Sequence, residues 1–214
     1  MKKVLIYVEG PSDKYAMSSL LAPLINQKLQ AGIQISFVEA PTGDKKKSVV
    51  LKVPEKAVNI LLNDPQTIVV ALPDLYPKNK GFAHETAEEL ISGIYANFSR
   101  TLERKGINDK KLLESRFMVF CFKYDLEALI LASPKALADR LDIPEVKTQW
   151  KLPVEDQNNE RPPKRVVEDI FSTYHRTYVD TVDAPAILNK VMYRELAQRC
   201  SQHFKPLIDF LEQL

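Results

Sequence analysis

Cysteine is nearly missing from this chain: Cys121 and Cys200 are the two in 214 residues. Two widely spaced thiols make neither a disulfide framework nor a Cys-x-x-Cys metal pair, and a reducing, cytoplasmic setting is expected. Glycine is scarce too, with six residues, and none builds a phosphate-cradling loop. A serine nucleophile elbow is also absent. The three histidines, His84, His175 and His203, are scattered without zinc-ligand spacing. There is no surplus of one charge, since 30 basic and 28 acidic side chains leave +2. Phosphate binding would therefore have to come from a local patch. The first apolar run is closed by Glu9-Gly10 after far too few residues for a signal or membrane-spanning segment, so neither secretion nor membrane insertion is expected.

What is present is enough apolar material, 45% of the residues, for one sizeable core. Short β-branched and aliphatic runs predict strands at 3–8, 33–38, 67–72 and 117–122, the third apolar along its whole length as if covered on both faces. Between them, helical spacing predicts one helix from Ser12, as N-cap, to Gly32, and others over 54–62 and 87–102. The lysine-rich stretch 42–52 reads as an exposed loop. Strands alternating with helices give an α/β fold with a mostly parallel four-stranded sheet flanked by helices. From 126 onward the chain reads as short helices, interrupted by a polar loop at 154–163 and ending in an amphipathic run over 203–214. The expected division is an α/β domain over 1–133 and a helical C-terminal extension over 134–214 packed on the same core.

In an open parallel sheet, ligands bind beyond the carboxyl ends of the strands. Those ends carry Glu9 after the first strand, Asp74 after the third, and Asp125 with Glu127 after the fourth. Any one alone could be a helix cap or a first-turn acid. Acids closing separate neighbouring strands can converge, and such a cluster repels itself unless a cation or proton is shared. Mg²⁺, or Mn²⁺, suits hard oxygen ligands that retain waters. Asp13, one helical turn beyond Glu9, is a candidate to face the same cleft, although a first-turn acid serving the helix dipole explains it too. The cationic candidates for phosphate or nucleic-acid binding are Lys45, Lys46 and Lys47, joined by Lys164 and Arg165. Trp150 and Tyr174 offer aromatic faces for stacking bases.

Glu9-Gly10 after the first strand, with Asp74 ending the third, resembles a Toprim domain, the metal-binding fold of topoisomerases, primases and nucleases of antiviral defence systems. Val8-Glu9-Gly10-Pro11-Ser12-Asp13, Pro73-Asp74-Leu75-Tyr76, Tyr124-Asp125-Leu126-Glu127 and Pro163-Lys164-Arg165, in this order, are similar to the Toprim-like family catalogued as domain of unknown function 4276. The likeness runs over nearly the full length. It implies a Toprim/Rossmann-like sheet in which Glu9 is a general acid or base and an Asp-x-Asp pair holds Mg²⁺. Here Tyr76 stands where the second aspartate belongs, which removes one implied ligand and leaves Tyr76 beside the site. Tyr124 and Asp125 likewise stand where that family usually has histidine and glutamate.

The leading expectation is a Mg²⁺-dependent nuclease or phosphoryl-transfer protein acting on DNA or RNA, in the setting of antiviral defence. Glu9 and Asp74 are the catalytic candidates, and Glu9, Asp74, Asp125 and Glu127 the metal-binding ones. A non-catalytic module that docks a partner protein such as an ATPase competes with it, and hydrolysis of a small nucleotide is a third reading. The sequence does not specify an oligomeric state.

Overall fold

The structure, a computed structural model, describes residues 1–147, 153–156 and 161–214. Trp150 and part of the expected 154–163 loop lie outside the described residues. The order begins with β1 (Lys2–Val8), α1 (Pro11–Leu20), α2 (Ala22–Gln30), β2 (Ile33–Glu39) and α3 (Lys45–Lys47). A π-helical turn, Ser48–Lys52, runs into α4 (Val53–Asn63), followed by β3 (Thr67–Ala71), α5 (Ala87–Arg104), α6 (Lys110–Glu114) and β4 (Phe117–Val119). Then come α7 (Glu127–Leu131), α8 (Pro134–Leu141), a 3-10 turn (Val154–Asp156), α9 (Pro163–Thr173), α10 (Asp180–Leu188), α11 (Tyr193–Arg199) and α12 (Phe204–Gln213). No helix among the described residues is long and apolar enough to cross a membrane.

The chain forms two compact units. The first comprises 1–10 and 25–121, the second 11–24 and 122–214.

The first unit holds the sheet, four parallel strands in the order β2-β1-β3-β4. In β1 the residues Val4, Ile6, Tyr7 and Val8 are buried, and all five residues of β3 are, as a central strand covered on both faces requires. The fourth strand is shorter than its apolar run predicts, because its partner ends at Ala71: the last bond is Phe120 N–H to the Ala71 carbonyl at 3.0 Å. Arg116, the residue before β4, ties this corner together. Its guanidinium donates to the carbonyls of Leu61, Asp64 and Thr67, so it closes the end of α4 against the start of β3.

The 42–52 stretch is not an exposed loop. Asp44 caps α3 through the Lys47 N–H at 3.0 Å, and the π-helical turn buries Ser48, Val49 and Val50. Phe82, in the long connection from β3 to α5, packs on α5 at Gly93. A methyl group there would sit 2.2 Å from the Phe82 ring. Gly93→Ala should therefore displace Phe82 and destabilise the chain by about 1–3 kcal/mol. Chemical denaturation checks this, with Ser92→Ala as the control that leaves the ring seated.

The second unit is helical. The single helix expected from Ser12 to Gly32 is broken at Leu21, because Pro23 in the first turn of α2 brings no N–H to continue the helical ladder. Pro11, not Ser12, opens α1, the ordinary use of proline at a first helical position. Within this unit α1 packs against α10, and α7 against α8 and α9. Glu155, 2% exposed on the 3-10 turn, accepts the backbone N–H groups of Gln202, His203 and Phe204 at 2.7, 2.8 and 2.9 Å. It is the anion at the N-terminus of α12.

Candidate functional site

In the first unit, β1 lies at the point where the strand order reverses: β2 is on one side of it and β3 on the other. Crevices at the carboxyl ends of such strands are where open α/β sheets place ligands. Glu9 follows β1 and Asp74 follows β3, and the structure joins them: the Asp74 N–H donates to Glu9 Oε1 at 3.0 Å. Both side chains are half-buried. Gly10 lets the chain close up beside them, since the Lys45 side chain lies across it, with Nζ 3.2 Å from where a Cβ would stand. Tyr76 is half-buried, with the Lys78 amine 5.8 Å above its ring.

The three consecutive lysines do not act alike. Lys45 and Lys47 are exposed, whereas Lys46 is 2% exposed. Its amine donates to the carbonyls of Leu75 and of Pro77, the latter at 2.7 Å, in the loop that begins with Asp74. Burial pushes the Lys46 amine down to about 8, while Glu9 and Asp74 pull it back toward the charged form. The signal was available in the sequence, for Lys46 stands at helical spacing from Val49, Val50 and Val53, all fully buried. His84, 2% exposed, closes the same loop. Its Nδ1 lies 2.9 Å from the Phe82 carbonyl, which fixes the proton on that nitrogen and the lone pair on Nε2, a buried atom without a hydrogen-bond partner among the described residues.

The second unit gathers Asp13, Asp125 and Glu127, respectively 7%, 8% and 5% exposed. The chain approaches Asp125 through Tyr124, whose φ of 79° is a left-handed conformation that costs a bulky residue about 1–3 kcal/mol. Lys164, opening α9 behind two prolines, donates its backbone N–H to Asp125 Oδ2 at 3.2 Å. Its amine lies 2.7 Å from Asp180 and 3.9 Å from Glu127. Tyr178 donates its hydroxyl to Glu127 Oε1 at 3.2 Å. Tyr178 and Asp180 were not singled out by the sequence, where nothing local marks them. Arg165 points outward, paired with Glu168 at 2.7 Å, and Tyr174 is half-buried.

Burial governs the protonation of Asp125 and Glu127, and at Glu127 repulsion by Asp125 comes next. Desolvation raises Asp125 to about 7 and Glu127 to about 8, and Asp13 adds to both shifts while Lys164 opposes them. Asp125 Oδ1 is buried with no hydrogen-bond partner among the described residues. Acids that hold protons at neutral pH and keep an oxygen without a donor suit an added cation. Among the described residues, however, no three His, Cys, Asp or Glu side chains are arranged as a ready metal site. A demand for one or two carboxylates, with waters filling the other positions, is the habit of Mg²⁺.

No curated protein matches the chain. Among solved structures, the C-terminal region of the Burkholderia pseudomallei OLD protein is similar at 14% identity and a TM-score of 0.48, with 100% of this chain and 98% of that one covered. The C-terminal region of the Xanthomonas campestris pv. campestris OLD protein is similar at 11% identity and a TM-score of 0.41, with 100% and 99% covered. The sequence itself matches, over residues 8–212, the family described as Domain of unknown function (DUF4276), and the chain belongs to that family.

Proposed function

We propose that this chain is a Mg²⁺- or Mn²⁺-dependent protein that cleaves or transfers phosphodiesters of nucleic acid. The observation that carries the reading is the bond between Glu9 and the Asp74 backbone at the point where the strand order reverses. Glu9, half-buried and held by that bond, takes or returns the proton at the attacking or leaving oxygen. Within the first unit Asp74 offers carboxylate oxygens to a divalent ion, and within the second unit Asp125 and Glu127 do so on their own. When bound, such an ion stabilises charge developing on the phosphate. Asp125 supports this with an oxygen that has no donor, and Asp13 holds the surrounding negative charge high. In the first unit Lys45, which lies across Gly10, and the exposed Lys47 position phosphate oxygens electrostatically, and in the second unit Lys164 does so on its own.

Metal titration by calorimetry and cleavage of plasmid and RNA test the reading together. Asp74→Asn and Asp125→Asn should each weaken Mn²⁺ binding about ten-fold or more. Glu9→Gln should slow cleavage by about 100-fold at unchanged Tm. A wild-type chain that binds no divalent metal, or a Glu9→Gln chain that cleaves at the wild-type rate, would defeat it.

Tyr76 in place of a second aspartate favours the competing reading, a scaffold that docks a partner protein. Against docking through the last helix, α12 turns Phe204, Leu207, Ile208 and Leu211 into the core of its own unit.

A further inference from the structure

We infer that Lys46 is a positioning residue of the Glu9–Asp74 pair: its buried amine pins the loop after Asp74 through the carbonyls on either side of Tyr76. The inference rests on the function proposed above and names a residue which that function does not use. Lys46 is 2% exposed, and its amine donates to the carbonyls of Leu75 and Pro77, the first and third residues beyond Asp74. Two carbonyls could be satisfied by a neutral amide donor. The lysine amine, with three donors on one flexible stem, reaches both at once and holds the loop on both sides of Tyr76, which keeps the Asp74 N–H seated on Glu9 at 3.0 Å. His84, packed into the same loop, has its proton on Nδ1 and adds no competing positive charge.

The test compares the full-length chain with Lys46→Met, which keeps the length and apolar stem, and with Lys46→Arg, which restores a charged donor. Two readouts are needed. Hydrogen exchange of the Asp74 amide reports the pinned loop without reference to activity, and kcat and KM for cleavage at saturating Mn²⁺ report the consequence. Lys46→Met should exchange Asp74 at least ten-fold faster and lose at least ten-fold in kcat, with KM within about three-fold, and Lys46→Arg should recover part of both. Wild-type exchange at Asp74 in Lys46→Met overturns the inference. So does faster exchange with kcat untouched, which would leave Lys46 a clamp of the fold alone. If Lys46→Met does not fold, Lys46→Arg decides: faster exchange and lower kcat than wild type, but a folded chain, support the role, and a chain that will not fold even with arginine overturns it. Absence of cleavage in the wild type counts against the proposed function, and the exchange measurement still decides whether Lys46 pins the loop.

Discussion

Glu127→Gln should be more stable than the wild type at pH 8.5, by about 1–4 kcal/mol, because it removes a charge that the second unit buries with incomplete compensation. The Glu127 carboxyl is pushed up to about 8 by burial and then by Asp125, against an ordinary value of 4.5. Between those values the folded chain holds a proton that the unfolded chain has released. Stability from this group is therefore greatest below about pH 4.5 and falls as pH rises toward 8, the reverse of a salt-bridged acid. Asp125, raised to about 7, acts in the same direction. Lys164 at 3.9 Å and the Tyr178 hydroxyl at 3.2 Å recover part of the penalty. The advantage of Glu127→Gln should shrink steadily on acidification and be gone near pH 4.5. Thermal melts from pH 4.5 to 8.5 decide the matter, and a variant less stable than wild type at pH 8.5 would mean that the carboxylate is well paired. Added Mn²⁺ should raise the Tm of the wild type and leave that of Glu127→Gln nearly unmoved.

Glu155→Ala should have the largest effect on folding. The side chain accepts three successive backbone N–H groups at the start of α12, that of Phe204 buried and the other two partly so, and its removal leaves them without this partner while withdrawing the negative charge from a helix N-terminus. Together these should cost about 3–5 kcal/mol, which for a chain of this size is a Tm lower by about 6–20 °C. Glu155→Gln keeps one acceptor oxygen and should fall between the two. Calorimetric melts measure both. An alanine variant within about 1 kcal/mol of wild type would show that water replaces the carboxylate at no penalty, and the anchoring role would be lost.

The sheet was legible because its strands are short β-branched runs whose acids stand just past their ends. Glu9 and Asp74 could be picked out for that reason, and the structure places them in contact. The break at Leu21 was written in Pro23, yet the apolar spacing on either side continues through it and favoured one helix. Lys46 was misjudged because a run of three lysines reads as surface, and charge outweighed its position on the face of Val49, Val50 and Val53. Tyr178 and Asp180 reach Glu127 and Lys164 only through the packing of α9, α10 and α7, a long-range arrangement with no local mark. Nor does local pattern reveal that α1, written between two strands of the sheet, belongs with helices far downstream.

That last feature bears on how the chain is made. Packing of α1 on α10 joins segments separated by most of the sequence, so the second unit has high contact order and cannot close until its distal helices have left the ribosome. Until then the apolar face of α1, Ala16, Met17 and Leu20, lacks its partner, on a helix tethered by Gly10 to strands that are already able to pair. Synthesis rate and chaperone supply should thus limit the yield of the second unit more than that of the first, and fragments ending before α10 should aggregate through α1.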